Sequence, residues 1–379
     1  MKPILITTSL LVGVLWAHQA IVPTPPETNQ HTKPTAEQMT QLKMKAEAGD
    51  AAAQLALGLA YEDGNGVASS DELAVSWYRR AAEQGNSVAQ NNLGLMYRSG
   101  RGVAKNKEEA VRWYQKAARQ KSPQGMFNMG AAYYNGDGLP ADQSAAYAWF
   151  WLAQEAGNGG AVEAVKRMTA ELRPFEILEA ERKIGDMFAG GIDLAQNYGE
   201  AAKWYGKTAQ RNDAQSQISL ATLLIDGRGI AQDYAEAKHW CEAASKQDYA
   251  PGPYCLGYLY QRGLGVKQDS HQAVKWYAKA AELNHDRAAS TLAQMYWKGE
   301  GVKIDKPAAY LWLYRASAIK VAGAKQQARM LWNEMNKEEM ARADKKFKEQ
   351  RLDPKRVHEF MEAPEGEAQV GKGRRLHKD

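Results

Sequence analysis

Apolar and small residues recur through most of this chain at helical spacing. In AQNNLGLMY, residues 89 to 97, the side chains of Ala89, Leu93, Gly94 and Tyr97 share one side of a helix. GRGV then interrupts the pattern, and a second helical stretch follows, centred on WYQKAA. The same pair of stretches returns along the chain. The Gly of the Leu-Gly or Met-Gly pair stands at Gly58, Gly94 and Gly130, and the matching place is then Gly185, Ala221, Gly257 and Ala293. Tryptophans of the second stretch keep the same beat: Trp77, Trp113 and Trp149, then Trp204, Trp240, Trp276 and Trp312. Within each group the step is 36 residues, which predicts seven helix pairs. The step from Trp149 to Trp204 is 55, so about 19 residues are inserted between the third and fourth pairs.

Each feature of the pair has a physical use. A Gly inside a helix costs about 1 kcal/mol against Ala, so its return at one place points to a close approach by a neighbouring helix. Ala221 and Ala293 at that place fit tight packing rather than a hinge. In turns such as GNGV and GRGV, one Gly ends the first helix in a left-handed conformation and the other permits the reversal. Val67 or Val103 should plug the pair, and GGIDLA breaks the turn in the fourth unit. Twelve residues after the Gly place come Ser70, Asn106, Asp142, Asn197, Asp233, Asp269 and Asp305, all good N-caps. Glu109, Glu200, Glu236 and Gln272 are placed to complete capping boxes. One such hairpin cannot cover its own apolar face, but stacked copies can. The expected fold is all-α: a right-handed α/α solenoid of about seven helix pairs, with a helical insert and a C-terminal capping helix.

These residues resemble a known family, the Sel-one-like repeats, which are related to tetratricopeptide repeats. The resemblance is carried by AAAQLALGLAYEDGNGV with DELAVSWYRRAA, and by GPYCLGYLYQRGLGV with DSHQAVKWYAKAA, and it covers roughly residues 45 to 323. It implies a scaffold or adaptor, with the first helix of each pair lining a concave surface. Exported bacterial members resemble proteins of envelope assembly, signalling and host-cell interaction.

The flanks read differently. MKPILITTSLLVGVLWAHQA, residues 1–20, has Lys2, a short apolar run and small residues near Ala17 and Ala20, the pattern of an export signal. An uncleaved anchor is the alternative, and either places the rest outside a bacterial cytoplasm, in the periplasm or secreted. Residues 21–40 are rich in Pro and Thr and should form a flexible spacer. Repeats one to three then occupy 41–157, a helical insert 158–183, and repeats four to seven 184–323. The insert carries Val162, Val165, Met168, Leu172, Phe175 and Ile177 and should pack, dividing the stack into two arms. Residues 324–350 read as a capping helix with a stripe of Ala328, Leu331, Trp332 and Met335, and 351–379 as a disordered tail.

Charge and candidate chemistry narrow the function. The net charge is only +5 over 49 basic and 44 acidic side chains, and GKGRRLHK near the C-terminus reads as a solubilising tail, so no nucleic-acid footprint is expected. The two cysteines, Cys241 and Cys255, fall on helices that should be neighbours; a disulfide or two buried thiols are both open. No Cys-x-x-Cys, His-x-x-x-His pair, Gly-x-Ser-x-Gly elbow or phosphate loop occurs. Neither a catalytic site nor a metal or other cofactor is expected.

Variation among the copies points to binding instead. Places −3, +1 and +4 from the Gly lie on the side of the first helix away from the repeated packing set. They present Phe127, Tyr134, Tyr254, Tyr258 and Trp297 as an aromatic lining, with Asn91, Arg98, Gln261 and Gln294 as a polar rim. The expected function is a non-enzymatic scaffold holding a protein or extended peptide in the groove. Binding of cell-wall glycan, with rings stacked on sugar faces, is the alternative.

Overall fold

In the computed structural model, residues 33–191 and 194–362 are described. The export signal, most of the spacer and the chain beyond 362 lie outside the described residues. Every regular element among the described residues is a helix. The first, α1 (Ala36–Glu47), precedes three pairs: α2 (Ala51–Asp63) with α3 (Asp71–Glu83), α4 (Ser87–Ser99) with α5 (Lys107–Arg119), and α6 (Pro123–Asn135) with α7 (Gln143–Glu155). The insert adds α8 (Gly159–Glu171). Four more pairs follow: α9 (Pro174–Gly190) with α10 (Tyr198–Gln210), α11 (Ala214–Asp226) with α12 (Tyr234–Lys246), α13 (Pro251–Arg262) with α14 (Ser270–Glu282), and α15 (Ala288–Lys298) with α16 (Lys306–Ala318). The C-terminal elements are α17 (Ala324–Glu334), α18 (Lys337–Glu349) and α19 (Pro354–Glu362). The chain forms two compact units, one ending at Trp204 and the other beginning at Tyr205.

The Gly of the first helix has a specific partner, a ring twenty residues later on the second helix. A Cβ at Gly94 would lie 2.5 Å from the ring of Tyr114, and Gly58, Gly130 and Gly257 meet Tyr78, Phe150 and Tyr277 in the same way. Where Ala replaces Gly, the residue twenty places on is not aromatic: Cys241 follows Ala221 and Leu313 follows Ala293. Helix approach is thus set by one methyl traded against one ring, and these residues are almost fully buried.

All seven N-cap side chains accept a backbone N–H of the helix they open. The expected capping boxes are not formed by Glu109, Glu236 and Gln272. The N-cap N–H that such a box needs is already spent: Asn106 donates to the Tyr97 carbonyl, Asp233 to Leu224 and Asp269 to Tyr260. This bond straps the turn to the first helix in every pair, while Glu109 turns to Arg112 and Glu236 accepts from the Trp240 indole.

Successive repeats are joined at two kinds of seam contact. Gln90 donates to the Ala82 carbonyl at 3.0 Å and accepts from Gln120 at 2.8 Å; Gln54 and Gln217 repeat the clamp on Ala46 and Ala209. At the turns the contact is ionic. Arg101 donates to Asp71 at 2.6 Å and to Glu62 at 2.8 Å. One period later the same places hold Asp137, Lys107 and Arg98, with Asp137 bound to Lys107 at 2.6 Å and to Arg98 at 3.3 Å. Every sign is reversed.

Three expectations for the flanks need correction. Part of the expected spacer is helical: Thr35 forms a reciprocal capping box with Gln38, and Met39 and Ala46 are buried. Ala46 takes the bond from Gln54 that Ala82 takes from Gln90, so α1 stands in for the second helix of a half-repeat. The expected single capping helix is broken where Met335 is extended and Asn336 caps α18. The start of the expected tail is a third helix, α19, whose Val357 and Met361 are buried in one cluster with Tyr310 and Phe347. Such short polar segments cover an end by two apolar contacts each, which leaves little periodicity to read. In the insert, α8 and α9 both pack on α7, burying Ala164, Met168 and Ala180, while Val162 and Phe175 stay exposed. Despite its altered turn, the fourth repeat ends its first helix like the others, at Gly191 with φ +65°.

Candidate interaction surface

The first helices of successive repeats touch directly within each unit: in the N-terminal one, Asn128 Nδ2 donates to Asn91 Oδ1 at 2.7 Å across α4 and α6. The places −3, +1 and +4 lie along this row. The structure gives these places two different jobs.

Most of the expected lining is seam. In the N-terminal unit Asn91 is 5% exposed and holds Asn128, and Arg98 is engaged by Asp137. Phe127 packs on Phe150 with ring centroids 5.2 Å apart. Tyr134 packs on the cluster containing Met168, with Arg167 over its ring. In the C-terminal unit Tyr254 stacks on His285 at 4.1 Å with planes 13° apart, and also meets Tyr277. Gln261 accepts the Tyr277 hydroxyl at 2.9 Å. Trp297 donates its indole N–H to Glu334 at 3.0 Å, joining repeat seven to the cap. The +4 residues of repeats one, two, six and seven thus serve the next element or their own buried tyrosine. Spacing alone could not separate these from open positions, because both vary in type.

In the C-terminal unit the +1 place is the one that opens outward, whereas Leu59, Leu95 and Ala131 of the N-terminal unit pack on buried clusters. Thr222 and Gln294 are exposed, and Tyr258 is half-exposed with Arg262 above its ring at 5.2 Å. Half-buried Ile218 and Ile225 flank Thr222 on α11. This strip on α11, α13 and α15 carries a hydroxyl, a phenol, an amide and two branched apolar side chains, with the Arg262 guanidinium over the phenol. It sits on helices whose opposite faces are fully packed: Leu220, Leu256 and Leu292 are at most 6% exposed. Thr222 holds the +1 place of repeat five, where a small polar side chain carries no signal in the sequence.

Cys241 and Cys255 are joined in a disulfide between α12 and α13, with Cα atoms 5.9 Å apart. It ties repeat five to repeat six beside the strip. Burial pushes the hydroxyl pKa of Tyr277, beneath the strip, above its ordinary value, with the phenols of Tyr254 and Tyr258 adding to the effect. His285, under Tyr254, has its pKa lowered, chiefly by burial. Among the described residues no group of three or more His, Cys, Asp or Glu side chains is placed to hold a metal ion. A hollow of about 530 Å³ lies elsewhere, between α18 and α19, where His358 bridges Tyr310 and Asp344 at 3.1 and 2.9 Å.

The Sel1 repeat profile matches seven segments, 51–86, 87–122, 123–158, 178–213, 214–249, 254–285 and 287–318. Together they span more than half of the chain, and each covers all or most of one helix pair. The chain belongs to the Sel1 repeat family. Its fourth Sel1 repeat begins at residue 178, inside α9, so that long helix serves both insert and repeat.

Solved structures with similar chains include a protective antigen present in uropathogenic Escherichia coli strains, at 31% identity and TM-score 0.43. That match covers 84% of this chain and 65% of the antigen, so this chain spans less than two thirds of that protein's length. A Sel1 repeat protein from Oxalobacter formigenes matches at 26% identity and TM-score 0.40, over 79% of this chain and 83% of that one. An immunity protein from Pseudomonas aeruginosa matches at 19% identity and TM-score 0.26, over 77% and 86%. Comparison with curated proteins returned no match. The fold is a repeat scaffold of the kind that serves protein–protein interaction.

Proposed function

We propose that this Sel1 repeat chain is a non-enzymatic adaptor that grips an extended polypeptide along the first-helix row of its C-terminal unit. The observation that carries this reading is the split between the places: seam residues are spent on packing, whereas Thr222, Tyr258 and Gln294 face outward from well-packed helices. A phenol and an amide can grip a peptide by ring contact and by bonds to its backbone, and they lose little freedom because their helices are rigid.

The same reading places the protein outside the cytoplasm. Residues 1–20 have the pattern of an export signal, and the only two cysteines of the chain are paired, as suits an oxidising compartment. Fusing residues 1–40 to a reporter active only after export tests the location; an inactive fusion contradicts it.

The partner is tested by a photo-cross-linking residue placed at 258 or 294, with Lys275→cross-linker on exposed α14 as control. Adducts with a polypeptide from 258 and 294 but not from 275 support the proposal. Adducts only from 275, or capture of wall glycan in place of polypeptide, overturn it.

A further inference from the structure

The buried tyrosine of the second helix has a recurrent problem: its ring is enclosed, but its hydroxyl still needs an acceptor. Two repeats solve it with the +4 residue of their own first helix. Tyr78 donates to Glu62 at 2.5 Å in repeat one, and Tyr277 to Gln261 at 2.9 Å in repeat six. Repeat two has Arg98 at this place, and a guanidinium has only donors. The charge reversal at the seam therefore removes the acceptor. Tyr114 is 2% exposed and its Oη has no hydrogen-bond partner in the protein.

A small, partly open cavity of about 10 Å³ lies against this residue. It is bounded by Tyr114, Arg98, Lys107, Asn128, Asp137 and the methyl groups of Ala110 and Ala132. That volume is about one water-sized sphere, the lower limit for holding a water molecule. We propose that this cavity is a built hydration site in which one water accepts a hydrogen bond from the Tyr114 hydroxyl and donates one to the Asp137 carboxylate. Asp137 has room for it: Oδ1 is bound by Lys107 at 2.6 Å and Oδ2 by Arg98 at 3.3 Å, and each oxygen keeps a second lone pair. The Asn128 amide, already bound to Asn91, bounds the opposite side. Two cations against one carboxylate would also invite a chloride, which bromide distinguishes from water. The seam between repeats two and three is then wet, whereas direct bonds from Tyr78 and Arg101 close the seam between repeats one and two.

Crystals of the full chain grown in chloride and in bromide, with data at the bromine edge, decide the matter. The expected result is a peak about 2.7–3.2 Å from both Tyr114 Oη and an Asp137 oxygen, with no anomalous signal in bromide. Arg98→Gln supplies an acceptor of the kind Gln261 provides, and the peak should vanish as Tyr114 bonds to the new amide oxygen. An empty site in the native protein, an anomalous bromide peak there, or a direct bond from Tyr114 to a protein acceptor overturns the proposal. So does a water that persists unchanged beside Arg98→Gln.

Discussion

Single side chains decide how closely each Sel1 hairpin closes. Gly257 lies under the Tyr277 ring, whereas repeat seven meets the same need with Ala293 and Leu313. Gly257→Ala should therefore destabilise the protein by about 1–3 kcal/mol through overpacking. Adding Tyr277→Leu should recover part of that loss, so that the double variant is more stable than the sum of the single changes implies; denaturant unfolding measures it. The Gly beat is plain in the sequence, but its partner is not, because the ring lies twenty residues away and its identity changes along with the Gly. His285 supports a second prediction. Burial and, less strongly, Arg287 lower its pKa, against an opposing effect of Asp286. The unfolded chain then binds a proton more readily, so stability is full above about pH 6.5 and erodes as pH falls towards the lowered folded value. His285→Gln should flatten this stretch of the stability–pH curve; an unaltered slope would show that another group is responsible.

At the scale of elements, seams carry the information that keeps similar repeats in order. Arg101 with Asp71 and Glu62, and Asp137 with Lys107 and Arg98, are the same contact in opposite signs. Exposed pairs contribute only about 0–1 kcal/mol each, but a slipped pairing would set like charges together. Arg101→Asp should cost more than Arg101→Ala, and Asp71→Lys in the same chain should restore stability in a double-mutant cycle; equal costs for Asp and Ala would argue against a role for sign. The disulfide adds a second tie. Its cysteines are 14 residues apart, and in the chain-entropy model such a loop contributes about 3 kcal/mol. Reduction should lower the unfolding midpoint, and Cys241→Ala with Cys255→Ala should lose the response to reductant. Helix pairs and their caps were legible because each repeats a local rule. The ends were legible only in part: α17 and α18 fall within the expected capping helix, but α1 and α19 each cover an apolar edge with few residues, so PTAEQMTQ reads mostly as spacer and DPKRVHEF as disordered tail although Met39 and Val357 are buried. Little of the aromatic face was legible, since Tyr258 is partly exposed while Phe127, Tyr134, Tyr254 and Trp297 pack on other helices.

Over the whole molecule, seven Sel1 repeats with helical ends make a scaffold in two compact units. The C-terminal unit presents the strip proposed to hold a peptide. Peptides selected from a random display library on the immobilised full chain supply a defined ligand for it. Their dissociation constants, measured in solution against the native chain, Tyr258→Ala/Gln294→Ala and the control Lys275→Ala, locate the grip. Tenfold or greater weakening, about 1.4 kcal/mol or more, is expected for the double variant and no change for the control. Equal affinity for the native chain and the double variant would contradict the assignment of this surface.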